Sequence, residues 1–384
     1  MLKSTFFFAF VMICSAQLAQ GQQWERYKHL TDTTLISKEL GFEKKITVTV
    51  PVEWQKNIDR QYPLVVVFDR QNQRSHGYIL RTIDYLTSNE QMPSCVIISI
   101  ASEQKYRYLE TLHKATDPDG LLPQTEAFLF RELVPLAEQL FKASGFRLFI
   151  GHSRYGYFTT ALFASRPAEV QAVISLSPFF EQTNVQLTDS MAALIQTPAT
   201  ANRYYRFGIG NDYPADYAKM DSVLRRHNNP QLNLKGILFP EADHNVTPGL
   251  TIGPALYDVF EHWSAIQARY MAIDTTKPAP FRILQQEIAS HYGVPFAFSL
   301  GILNGKGWEL YNKKRYREAI AAWELLLEYY PNFSEAWLYI MDARLKTKQD
   351  VKAAKQQFLT SLKDSQLYSA EEKKELMAEY EQLK

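Results

Sequence analysis

Cysteine is nearly absent from this chain of 384 residues: there are two. Cys14 lies in the N-terminal apolar stretch and Cys95 stands alone in the apolar run Cys95 to Ile100. With the N-terminal stretch removed no internal disulfide can form, and Cys95 reads as a small buried hydrophobe rather than a nucleophile. An excess of charge of either sign is also missing, with 42 basic against 41 acidic side chains. A neutral chain without a basic cluster has no electrostatic attraction for nucleic acid or anionic membrane, and neither is expected as a partner. No H-E-x-x-H and no tight grouping of His, Cys and carboxylates occurs, so no metal is implied. No G-x-x-x-x-G-K occurs either; the scattered glycines read as turns, and no cofactor is expected.

Long hydrophobic runs are lacking too. The run Phe6 to Cys14 is too short to span a bilayer. With Lys3 before it and the small-x-small triplet Ala19-Gln20-Gly21 after it, residues 1–21 read as a secretory signal peptide. Ile13 occupies the place where a lipoprotein signal wants a small residue before its cysteine. The expectation is export to the periplasm or beyond, with no membrane span after cleavage.

From residue 22 to 273 short apolar runs alternate with stretches of helical periodicity. Strands are predicted at Lys45 to Val50, Leu64 to Phe68, Cys95 to Ile100, Arg147 to His152, Ala172 to Leu176, Tyr204 to Ile209 and Leu234 to Phe239. The continuously apolar Leu64 to Phe68 suits a strand covered on both faces. Helices are predicted around Tyr78 to Leu86, Glu126 to Ala143, Tyr157 to Ala164, Ala215 to Arg226 and Leu250 to Ala268. This order predicts an α/β fold: a mainly parallel sheet with helices on both faces. Residues 274–298 read as a linker, Asp274 to Pro280, and a connecting helix. Residues 299–384 offer no strand. Gly307-Trp308, Tyr316, Ala319, Trp323 and Pro331 follow the tetratricopeptide pattern, and Ala353 lies one 34-residue period after Ala319. Two such units are too few to stand alone and are expected to lean on the preceding domain. A plain helical hairpin is the alternative.

The chemistry concentrates in Gly151-His152-Ser153-Arg154-Tyr155-Gly156, where an apolar strand ends, a serine sits on a sharp turn and a helix follows at once. That is a nucleophile elbow, whose turn exposes the serine Oγ. Tyr155 stands where the usual G-x-S-x-G pattern has its second glycine, and Gly156 follows one place later. Acyl transfer needs a base, and His244 lies in the loop after the last predicted strand, where this chain order puts it. Asp212, closing the strand before, is the candidate to orient the imidazole, with Asp216 as rival and helix capping as its alternative role. His152 is expected to pack. Backbone amides of Arg154 and of Arg70, in the loop Asp69-Arg70-Gln71, are the expected oxyanion donors.

On these residues the chain resembles an esterase family that includes enterochelin esterases and S-formylglutathione hydrolase. The shared pieces are Thr47 to Pro51, Tyr62-Pro63, Phe68-Asp69, Arg107-Tyr108, Phe149 to Ser153, Ser175-Leu176-Ser177-Pro178, and the histidine loop with the helix ending near Phe260. The resemblance covers about Lys45 to Trp263. It implies an α/β-hydrolase fold, cofactor-free hydrolysis of a small-molecule ester, and catalysis by Ser153 and His244. Members usually carry glycine where this chain has Tyr155 and Arg70. The expected function is an exported serine esterase. The alternative is an inactive hydrolase-fold scaffold that contacts a protein partner through its C-terminal helices.

Overall fold

The computed structural model describes residues 24–56, 58–199, 201–274 and 278–383; residues 1–21, expected to be a signal peptide, lie outside them. Strands follow in the order β1 (Tyr27–Ile36), β2 (Glu43–Pro51), β3 (Tyr62–Val67), β4 (Val96–Ile100), β5 (Ala143–His152), β6 (Ala172–Leu176), β7 (Glu181–Gln182), β8 (Val185–Gln186), β9 (Arg203–Ile209) and β10 (Leu232–Leu238). Eight of them form one sheet ordered β1-β2-β4-β3-β5-β6-β9-β10, and β7 and β8 make a separate small hairpin. The pairs from β4 to β10 are parallel, while β1 and β2 add an antiparallel edge.

Alternation across the pleat divides the core into two layers. Val65, Val67, Ile97, Leu148, Ile150 and Ile174 face one side; Leu64, Val66, Val96, Ile98, Phe149 and Val173 face the other. Helices Gln73–Ser88 and Thr247–Ala272 cover the first side, and Leu122–Phe128 with Val134–Phe141, Arg154–Ser165, Leu187–Leu194 and Pro214–Leu224 cover the second. From β3 the chain moves outward to β4, then returns past β3 to β5. The carboxyl ends of β3 and β5 therefore flank a topological switch point, where open α/β sheets form clefts.

The sequence pattern omits β1, an edge strand on which only Tyr27 is buried and whose pairing is broken by a register shift between His29 and Thr31. The long helix expected to reach Ala143 instead ends at Lys142, in the left-handed conformation (φ 64°), and β5 begins at Ala143. Its turn Leu129–Leu133 is a π-helix. Pro135 has no amide to offer the Arg131 carbonyl four residues earlier, which accounts for the looser turn.

Beyond the sheet domain come helices Pro278–Tyr292, Leu300–Asn312, Tyr316–Tyr329, Glu335–Lys346, Lys352–Asp364 and Ala370–Gln382. Their apolar residues, from Phe281 through Trp323 to Tyr380, join the first core layer without a break. Trp263 Nε1 donates to the Ala297 carbonyl at 3.1 Å, and the buried Lys306 Nζ donates to the Met271 and Ile273 carbonyls at the end of Thr247–Ala272. A Cβ on Gly307 would meet the Trp323 indole at 2.2 Å, the small-to-aromatic contact the repeat pattern calls for. Among the described residues no helix is long and apolar enough to cross a membrane.

Burial makes the fold sensitive to acid. His76, His152 and His291 are each lowered to about 4, first by burial and then by neighbouring Arg70, His244 and His262 respectively. Unfolding restores an ordinary value near 6.5, so between these limits the unfolded chain holds more protons. The stability they supply is complete above about pH 6.5 and is lost as pH falls towards 4. Calorimetry should find Tm falling over that window with uptake of more than one proton on unfolding, a total loss of roughly a few kcal/mol. The half-exposed His291 contributes least. A Tm flat across the window would contradict this.

Candidate active site

Ser153 follows β5 immediately and caps the helix Arg154–Ser165, with φ 58° and ψ −116°. A non-glycine residue held at positive φ costs about 1–3 kcal/mol and persists only where neighbours over-determine it. Here the Ser153 amide donates to the Leu176 carbonyl at 2.8 Å, and its carbonyl accepts from the Tyr157 amide at 2.9 Å. Gly151 permits the turn, since a Cβ there would lie 2.2 Å from the Tyr155 carbonyl oxygen. Gly156 packs on the end of β6, where a Cβ would come 3.1 Å from the Leu176 oxygen. The close approach to the neighbouring strand thus falls to Gly156, and position 155 is free to carry a side chain.

Tyr155 uses that freedom to turn into the protein. Its ring is fully buried and stacks on Phe68 at 4.6 Å between centroids. Its hydroxyl donates to Glu110 and shares a hydrogen bond with Ser102. Glu110 is completely buried and binds Lys44 Nζ at 2.8 and 2.9 Å and the Ser102 hydroxyl at 3.0 Å. Ser153 remains half-buried, while Tyr155 is fully buried.

The structure brings His244 and Asp212 together. His244 Nδ1 lies 2.6 Å from Asp212 Oδ2, which also accepts from the Ser177 hydroxyl at 2.7 Å; Asp212 Oδ1 accepts from the Gly210 amide at 3.1 Å. Burial pushes the Asp212 carboxyl up, but the hydrogen bonds from His244 and Ser177 outweigh it and hold it below the usual range. Tyr213, not Asp212, stands at the N-cap position of helix Pro214–Leu224, and the Asp212 oxygens are taken by His244, Ser177 and Gly210. Asp216 accepts from the Phe180 backbone instead. Asp243 folds its own loop, taking the amides of Asn245 and Val246 on Oδ1.

His152 is more than packing. Its Nε2 donates to the His244 carbonyl at 3.0 Å, and the two rings lie 4.6 Å apart. It therefore clasps the histidine loop to the elbow, and its neutral ring suits that contact. Among the described residues no hydrogen bond joins the Ser153 hydroxyl to the His244 imidazole; the link runs through His152. Catalytic contacts are often long without substrate. Ser177, at φ 44° after β6, is a participant the sequence reading passed over. Its signal was its place in the shared stretch Ser175-Leu176-Ser177-Pro178, to which no role was attached.

The oxyanion expectation needs one correction. The Arg70 amide donates to the Ile100 carbonyl at 3.0 Å and is already committed, while the Arg70 side chain pairs with Asp32 at 2.8 Å. The loop turns at Asp69 (φ 60°), whose carboxylate is held by Arg107 at 2.8 and 2.6 Å. One place on, the Gln71 amide has no acceptor among the described residues, and its side chain is fixed by Asp69 and the Ser102 amide. The Arg154 amide, in the first turn of its helix, has no intrahelical partner.

The sheet domain has the architecture of an α/β hydrolase. An IroE-like serine hydrolase from Shewanella oneidensis is similar at 14% identity over 79% of this chain and 100% of its own, TM-score 0.60. An uncharacterised protein from Capnocytophaga ochracea is similar at 13% identity over 87% of this chain and 94% of its own, TM-score 0.59. The BES protein from Bacillus cereus is similar at 17% identity over 63% of this chain and 98% of its own, TM-score 0.52. At such identities these likenesses show the fold. A comparison with curated protein sequences finds no match. The family model described as Putative esterase matches residues 37–235, more than half of the chain, and the chain belongs to that family.

Proposed function

We propose that this carboxylic ester hydrolase is an exported serine esterase working through an acyl-serine intermediate. The observation that carries the reading is the hydrogen-bonded His244–Asp212 pair clasped by His152 to the elbow that holds Ser153. Export rests on the leader-like residues 1–21.

In this reading Ser153 Oγ attacks the ester carbonyl carbon as His244 Nε2 takes its proton. Asp212 holds Nδ1–H, fixes the tautomer and stabilises the imidazolium. The carbonyl oxygen gathers negative charge and is met by the Arg154 and Gln71 amides. Collapse breaks the bond to the alcohol, which leaves with the proton from His244. Water, deprotonated by the same imidazole, then attacks the acyl-serine and releases the acid. Ser177 and the Gly210 amide keep the Asp212 carboxylate in place.

A fluorophosphonate probe tests the nucleophile directly. Folded wild-type protein should be labelled at one stoichiometric site, and peptide mass spectrometry should find the adduct on Ser153. Labelling elsewhere, or none in protein with a normal melting transition, would defeat the proposal.

A further inference from the structure

The esterase reading leaves one cation beside the nucleophile unexplained. Arg107 lies beside the elbow, 5.8 Å from the Tyr155 ring centroid, and Arg70 sits in the loop after β3. Arg107 is neutralised by Asp69 and Arg70 by Asp32. Arg154, next to Ser153 in the chain, is half-buried, yet no carboxylate pairs with it among the described residues. Burial and then, opposing the nearby Tyr108, the charge of Arg107 bear on it, and the net effect lowers its pKa. A partly desolvated guanidinium without a counter-ion is costly unless something else compensates.

Aromatic rings hold it in place. The Arg154 guanidinium lies 3.9 Å from the centroid of the Tyr108 ring and 5.9 Å from that of Phe179. Phe179 is 6.1 Å from Tyr213, and Tyr213 stands edge-on to His244 at 6.0 Å. His244, Tyr213, Phe179, Arg154 and Tyr108 therefore form one continuous wall leading away from the imidazole. Tyr108 is 46% exposed and the other four are partly exposed. Tyr108 also takes a side-chain hydrogen bond from this guanidinium, and the N–H groups that remain can meet a planar anion, which a guanidinium binds in parallel pairs.

Resting on the esterase reading, we infer that this site selects esters carrying a carboxylate or similar planar anion, with Arg154 as the specificity-determining residue and the Tyr108–Phe179–Tyr213 wall as its aromatic support. The anion can belong to the acyl part or to the alcohol, and paired substrates distinguish the two. On the acyl side, p-nitrophenyl hemisuccinate is compared with its neutral isostere p-nitrophenyl levulinate. On the alcohol side, 4-acetoxybenzoate is compared with 4-acetoxyacetophenone.

In one pair, wild-type kcat/KM should favour the anionic member by about tenfold or more, the worth of a charge-assisted hydrogen bond. That ratio should shrink as salt rises from about 0.02 to about 0.5 M. Arg154→Gln should bring it to about one, and Arg154→Lys should restore part of it, giving the charge without the fork. The ratio, not the absolute rate, is the readout, because the Arg154 amide also serves the oxyanion. The salt series needs no variant and decides the matter should Arg154→Gln fail to fold. Ratios near one in both pairs, unmoved by salt, would overturn the anion assignment and leave the esterase standing. No turnover of any of the four esters would overturn both.

Discussion

Ser153→Ala and His244→Ala should each lower kcat on a short acyl ester by about 10⁴-fold or more, and the double variant should be scarcely slower than either. In the proposed mechanism the two side chains act on one proton: without the imidazole the hydroxyl is a poor nucleophile, and without the hydroxyl the imidazole has nothing to activate. Independent contributions would multiply instead, and a double variant a further 10⁴-fold down would sink the paired reading. Ser153→Ala leaves the Leu176 and Tyr157 backbone bonds of the turn intact, so its Tm should stay close to wild type. Asp212→Asn should fall in the same direction by about 10³–10⁴-fold in kcat with KM little changed, since an amide no longer fixes the tautomer. Ser177→Ala should do much less, because the Gly210 amide and His244 still bind the carboxylate. Hydrogen bonds keep Asp212 below the usual carboxylate range, so it stays ionised in mild acid. Acid loss of activity at mildly acidic pH therefore does not come from this residue.

The parts of this site that the sequence made legible are those tied to strand ends. An apolar run stopping at Gly-His-Ser, another stopping before Asp212 and a third before His244 mark the carboxyl edge of a parallel sheet, and that edge is where the fold gathers its loops. What stayed hidden depends on contacts between residues remote in sequence. His152 was expected to pack because neighbouring side chains at a turn diverge, yet the loop carrying His244 comes back across the elbow and offers it a carbonyl. The Arg70 amide looked available because position in a loop says nothing about which strand lies alongside, and the end of β4 takes it. The edge strand β1 escaped notice for a simpler reason: with only Tyr27 buried and its few apolar residues unevenly spaced, it has little hydrophobic alternation to display.

Restoring the family's usual glycine by Tyr155→Gly should destabilise the protein by about 3–5 kcal/mol and should not raise activity. The change deletes a fully buried ring stacked on Phe68 and removes a donor from the equally buried Glu110. Tyr155→Phe separates the two losses: the ring remains, and the cost should drop to about 1–3 kcal/mol for a carboxylate short of one partner. Denaturant unfolding of the three proteins measures both steps. The size of the first follows from where the network leads. Lys44 is on β2, Ser102 follows β4 and Glu110 lies in the 3₁₀ turn Leu109–Thr111, so the tyrosine ties the elbow to the far half of the sheet. Glu110 is left with Lys44 and Ser102, and breaking a buried ionic cluster by removing one member is more damaging than never having built it. A glycine variant as stable as wild type and faster on esters would mean that Tyr155 is a plug over the nucleophile. Its hydrogen bond into the buried Lys44–Glu110 pair argues instead that Tyr155 is an anchor where the family usually has glycine, with the close approach to β6 made by Gly156.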